Sequence, residues 1–81
     1  MSCEAERQVL AKSRYERDAA GLREEVALEN ALCEITHIQG CYDWAAVRRA
    51  EADVHLWEVR CAAAEVALAA CVEKLKLLSQ S

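Results

Sequence analysis

The second half of this chain carries an unbroken seven-residue repeat of apolar side chains. The repeated positions are alternately three and four residues apart: Val47, Ala50, Val54, Trp57, Cys61, Ala64, Leu68, Cys71, Leu75 and Leu78. This spacing is typical of the seam of a coiled coil, in which one stripe of a long helix packs against a neighbouring helix. The repeat therefore predicts a long helix over residues 44–78 with an intramolecular seam along one side.

A second apolar stripe lies on the opposite side of the same predicted helix. Its members are Trp44, Ala45, Ala52, Val59, Ala63, Val66, Ala70 and Leu77. A helix that is apolar on two sides needs two neighbours, whereas the chain offers only one other long helical segment. The second stripe is therefore a candidate face for a partner or for oligomerisation.

The remaining composition favours helices joined by a single turn. Pro is absent and there are only two Gly, so helix breakers are scarce. Gly40 can close a first helix and Asp43 can cap a second. The sequence predicts an all-α single domain over residues 1–81, an antiparallel two-helix hairpin of the coiled-coil type. Its helices span about residues 3–38 and 44–78 around a turn at 39–43, and dimerisation or a partner completes a four-helix bundle.

The first arm is less regular than the second. With the turn centred near residues 41–42, the numbers of facing residues add to about 83 in an antiparallel hairpin. This rule sets four apolar first-arm residues against the seam: Val9, Tyr15, Leu22 and Val26. A separate apolar stripe is assigned to the partner face: Leu28, Leu32, Ile35 and Ile38. Either the arm is one helix with two apolar faces, or it breaks near Gly21 and gives three helices.

Five cysteines raise the question of disulfide bonds. The number is odd, no export signal accompanies it, and the pairing rule sets no two cysteines opposite each other. The sequence therefore predicts reduced thiols. In this interpretation Cys61 and Cys71 fill the seam as small apolar side chains, and Cys41 is accessible at the turn.

Charge and hydropathy argue against several classes of partner. The net charge of −4 and the lack of a basic cluster give no case for nucleic acid. No apolar run approaches the roughly 20 residues that span a bilayer, and the N-terminus does not resemble a signal peptide. We therefore expect an intracellular protein, cytoplasmic or nuclear, with no membrane partner.

Two short patterns could in principle bind a metal ion. Glu34 and His37 have the Glu-x-x-His spacing of di-iron bundles, but the pairing rule sets Arg48 and Arg49 against them rather than carboxylates. Cys33, His37 and Cys41 remain one ligand short of a zinc site. We predict no metal and no cofactor.

A thin hairpin also lacks the deep cleft that small-molecule sites require, so neither a small-molecule substrate nor enzymatic activity is expected. The predicted function is a non-enzymatic protein–protein interaction and oligomerisation module, a scaffold or adaptor subunit of a larger complex. One alternative is a small regulatory inhibitor, phage, viral or cellular, that binds a helix groove on a target protein. A weaker alternative is a metal- or redox-binding helical bundle.

Overall fold

A computed structural model describes residues 2–32 and 43–80 as two long helices packed against each other. Helix α1 spans Glu4–Ala31 and helix α2 spans Trp44–Ser79. They run antiparallel in an elongated molecule of 69 × 14 × 13 Å. The all-α helical hairpin predicted from the sequence is confirmed. Residues 33–42, which include the predicted end of the first helix and most of the predicted turn, lie outside the described residues.

Both helices begin with side chains that suit a helix N-terminus. The Asp43 carboxylate accepts a hydrogen bond from the Ala46 N–H at 3.0 Å and so satisfies one of the backbone donors left free at the start of α2. The cap predicted at Asp43 is confirmed. In α1, Glu4 and Glu6 lie in the first turn, where their negative charges interact favourably with the helix dipole.

Helix α1 continues without a break through Gly21. A single glycine costs a helix only about 1 kcal/mol relative to alanine, and the residues on both sides maintain the helical hydrogen bonding. Apart from the adjacent residues and the backbone of its own helix, no atom lies within 4 Å of the position that a Cβ would occupy at Gly21, so no close approach of a neighbour requires glycine there. Of the two arrangements left open by the sequence, the first arm forms one helix over its described length.

The heptad stripe of α2 faces α1. Val47, Cys61 and Ala64 are buried, and all the other stripe residues except Leu78 are at least partly buried. Leu78 lies at the open end of the hairpin and is 52% exposed. The contact surface of α2 therefore follows the seven-residue period of the sequence.

The contact surface of α1 differs from the prediction. The four first-arm residues assigned to the seam are exposed by 56%, 71%, 64% and 55%, respectively: Val9, Tyr15, Leu22 and Val26. The buried residues of α1, with Cys3 just before it, form another stripe that is small or polar at most positions: Cys3, Leu10, Ser13, Ala20 and Ala31. Small side chains let two helix backbones approach closely. The assignment of the larger apolar stripe to the seam was wrong, and that stripe points into solvent.

The register of the hairpin also differs from the prediction. The numbers of residues joined across the two helices add to 74 for Cys3–Cys71, 76 for Arg23–Asp53 and 79 for Arg14–Glu65. The predicted value was about 83, so α1 is shifted by roughly four to nine residues, or about 6–14 Å at 1.5 Å per residue. The heptad stripe of α2 still faces α1 in this register.

The shifted register joins two cysteines that the pairing rule kept apart. Cys3 and Cys71 form a disulfide with a Cα–Cα distance of 6.0 Å, which lies in the usual range. The prediction that these two thiols are reduced was wrong. It rested on the odd number of cysteines and the lack of an export signal, and on a register that set no two cysteines opposite each other. The bond closes the end of the hairpin opposite residues 33–42.

Candidate interaction surface

The outer face of α2 is an apolar surface that the described part of the hairpin leaves uncovered. We use this name for the exposed residues opposite the seam: Ala45, Ala52, Leu56, Val59, Ala63, Val66, Ala70 and Leu77. Leu56, Val59, Val66 and Leu77 are exposed by 44%, 53%, 70% and 60%. Trp44, which the sequence grouped with this stripe, lies beside it and is 42% exposed. Large apolar side chains that remain this exposed along one side of a helix make that side a candidate for protein contact.

Leu56 also belongs to this face, although it was not among the residues predicted for the second stripe. It follows Ala52 by four residues and precedes Val59 by three, so it completes a second series with alternating spacings of three and four. That series is a second coiled-coil stripe, parallel to the seam and about half a turn away from it. The spacing alone was the signal that would have identified Leu56.

Charged residues interrupt the outer face of α2 near its two ends. Arg49 occupies the stripe between Ala45 and Ala52, and Glu73 occupies it between Ala70 and Leu77. Both side chains are exposed. The stripe is therefore apolar over its centre and carries one charge of each sign, one toward each end.

Helix α1 exposes a shorter apolar stripe, which we call the outer face of α1: Tyr15, Ala19, Leu22 and Val26. Leu22 and Val26 also line an open groove of about 540 Å³, in which Ala27 and Ala46 contribute further apolar surface. The groove lies beside the start of α2. Leu28 and Leu32, predicted for the partner face, are 41% and 57% exposed, whereas Ile35 and Ile38 lie outside the described residues.

Polar contacts along the edges hold α1 against α2. Arg23 donates to the Asp53 carboxylate at 2.8 Å, and Arg14 lies 3.7 Å from the Glu65 carboxylate. All four side chains are at least one-third exposed, so each pair contributes at most about 1 kcal/mol. These contacts favour the antiparallel alignment, and the outer faces remain open.

Trp57 is partly buried at the seam, and its ring is covered by a cation. The Arg60 guanidinium carbon lies 4.6 Å from the centroid of the ring, within the range of a cation–π interaction. This contact directs Arg60 along its own helix, toward the seam side.

The described residues contain one cluster of potential metal ligands. Ligand atoms of Cys3, Glu6 and Cys71 lie within 4.8 Å of one another, but the two sulfur atoms are bonded to each other and do not offer thiolates. Cys3 and Cys71 are 68 residues apart, so no local spacing in the sequence could have revealed this cluster. The metal-binding patterns weighed from the sequence, Cys33, Glu34, His37 and Cys41, lie outside the described residues.

Neither described helix has a stretch that is long and apolar enough to cross a membrane. Cys61 is a free, buried thiol within the seam.

In comparisons with known proteins, no family model, no curated protein and no solved structure matches this chain. Its function has to be inferred from the arrangement of its own residues, above all from the outer face of α2.

Proposed function

We propose that this protein is a non-enzymatic interaction module that assembles through the outer face of α2. The observation that supports the proposal is the exposure of a second heptad stripe, with Val59 at 53% and Val66 at 70%. A coiled-coil stripe becomes stable when another helix covers it. The hairpin is then a scaffold or adaptor subunit, and its partner is a protein helix.

Helix α1 of the same chain leaves this face uncovered. It packs on the opposite side of α2, where the Cys3–Cys71 disulfide and the Arg23–Asp53 ion pair hold it. The core between the two helices consists largely of small side chains. Burial of additional apolar surface by a second chain adds stability at about 25 cal/mol per Å², which gives self-association a clear driving force.

The test measures the mass of the pure protein in solution. We expect light scattering to give a multiple of the 9.0 kDa chain mass. The double substitution Val59→Glu with Val66→Glu introduces charges at the centre of the stripe, where burial without a partner is costly. It is expected to raise the dissociation constant at least about a hundredfold, with little change in helix content, because both positions are exposed in the single hairpin.

A matched control replaces the same two residues by leucine, so that Val59→Leu with Val66→Leu changes shape but keeps the face apolar. The control is expected to remain assembled. A wild-type protein that is a folded 9.0 kDa monomer at all concentrations contradicts self-association and favours the alternative of an inhibitor that meets its target as a preformed hairpin.

The sequence predicts an intracellular location, and the thiols were expected to be reduced because of that location. Disulfides form and persist in oxidising compartments and are rare in the cytosol, so the Cys3–Cys71 bond argues against a reducing compartment. Alkylation of intact cells before lysis, followed by peptide mapping, tests the point. A Cys3 peptide linked to the Cys71 peptide indicates an oxidising compartment, whereas alkylation of both residues indicates a reducing one.

A further inference from the structure

We infer that the partner is a second copy of this chain, docked with its α2 antiparallel to the first and centred near residue 61. The inference rests on the proposed function and specifies the occupant of the outer face of α2, the direction of its helix and its register. The observations that support it are the exposed stripe, the sizes of its side chains and the two charges near its ends.

The stripe is complementary to itself when the numbers of facing residues add to 122. In this register Leu56 faces Val66 of the second copy, and Val59 faces Ala63. Farther out, Ala52 faces Ala70 and Ala45 faces Leu77 of the second copy. Two other registers lie one heptad to either side of this one. In the first, Leu56 faces Glu73 of the second copy; in the second, Arg49 faces Val66. The centred register alone avoids an apolar residue facing a charge.

The charges on the stripe favour the same arrangement. In the centred register Arg49 of each copy faces Glu73 of the other, so the twofold axis generates two ion pairs. In a parallel dimer Arg49 faces Arg49 and Glu73 faces Glu73, which gives two repulsive contacts. Arg48 and Lys76 approach each other at the exposed rim of the antiparallel arrangement, where screening by solvent is strong. Arg60 of each copy is directed toward Trp57 of its own helix, on the seam side and away from the inferred interface.

The length of α2 gives independent support. The numbers of its terminal residues, Trp44 and Ser79, add to 123, so a register of 122 aligns the ends of the two helices almost level. The stripe from Ala45 to Leu77 is then covered along its whole length. Because this face lies opposite the seam, the four helices form a single layer in the order α1, α2, α2, α1, rather than the square section of a four-helix bundle.

A charge exchange tests direction and register together. We expect Arg49→Glu alone, or Glu73→Arg alone, to raise the dissociation constant of the dimer about tenfold, since two exposed ion pairs become repulsive. The double variant Arg49→Glu with Glu73→Arg restores both pairs and is expected to return the constant to the wild-type value. Sedimentation equilibrium over a range of concentrations measures all four proteins.

The outer face of α1 provides the control. Leu22→Glu with Val26→Glu changes exposed residues that are not in the inferred interface, so this variant is expected to remain a dimer. If it is monomeric, or if the wild type forms species larger than a dimer, α1 of one copy docks on α2 of the next and the inference is overturned. If the charge exchange fails to restore a dimer that the single substitutions weaken, the antiparallel register is wrong although self-association stands. A wild-type monomer overturns both this inference and the proposed self-association.

Discussion

Loss of the Cys3–Cys71 disulfide is expected to remove a large part of the stability of the hairpin. The bond joins residues 68 apart in sequence, and closing a loop of that length restricts the unfolded chain by about 4 kcal/mol in the chain-entropy treatment. Small domains have a total stability of roughly 5–15 kcal/mol. The buried residues here are mostly Ala, Cys and Val, so this protein belongs near the lower end of that range, and Cys71→Ala should unfold it at a much lower denaturant concentration.

The assay is urea unfolding followed by far-ultraviolet circular dichroism at one fixed protein concentration, because assembly makes apparent stability depend on concentration. We expect Cys3→Ala and Cys71→Ala each to lower the free energy of unfolding by about 2–5 kcal/mol. The double variant should lose about as much as either single variant, since each substitution already removes the same bond. Cys61→Ala is the matched control, because Cys61 is buried but free.

Three results would refute this reasoning. One is equal stability of the wild type with and without a reducing agent, which would mean that the bond does not form or does not restrict the unfolded chain. Another is a loss in the double variant that equals the sum of the losses in the two single variants, since losses that arise from one shared bond cannot add. A loss in Cys61→Ala as large as that in Cys71→Ala would attribute the effect to side-chain packing in the seam.

Three smaller perturbations test the local structure, and each is measured by the same unfolding assay. Gly21→Ala is expected to stabilise the hairpin by about 0.5–1 kcal/mol, because alanine favours the helix and a Cβ at this position meets open space; destabilisation would contradict the continuity of α1. Asp43→Ala is expected to cost about 1 kcal/mol through loss of the hydrogen bond from Ala46, and Asp43→Ser should recover most of it. Arg23→Ala is expected to cost less than about 1 kcal/mol through loss of the exposed pair with Asp53, and the cost should shrink in high salt.

The helical hairpin could be predicted from the sequence because local chemistry specifies it. The scarcity of glycine, the lack of proline and the heptad period require long helices. The seam side of α2 followed from the same period, since the second stripe of that helix is interrupted by Arg49 and Glu73 whereas the seam stripe has no charged residue. Asp43 was recognisable as a cap because a carboxylate at the start of a helix accepts hydrogen bonds from free backbone donors.

The face presented by α1 was not predictable from hydrophobicity. Its more apolar stripe, with Tyr15, Leu22 and Val26, was assigned to the seam, whereas the structure buries Leu10, Ser13 and Ala20. Apolar periodicity measures which side of a helix avoids water, but it does not measure how closely two backbones can approach. When a helix has two candidate stripes, the shape of the neighbouring helix decides which stripe is buried.

What the sequence by itself determined was the two helices, the seam side of α2 and the existence of a second stripe on that helix. The tertiary structure decided the register, and with it the disulfide, because both depend on which residues of two distant segments lie side by side. A shift of about 6–14 Å along the helix axis keeps the heptad stripe of α2 in contact with α1 but changes which α1 residues it meets. The periodicity of one helix is local information, whereas alignment between helices is fixed only when they pack together.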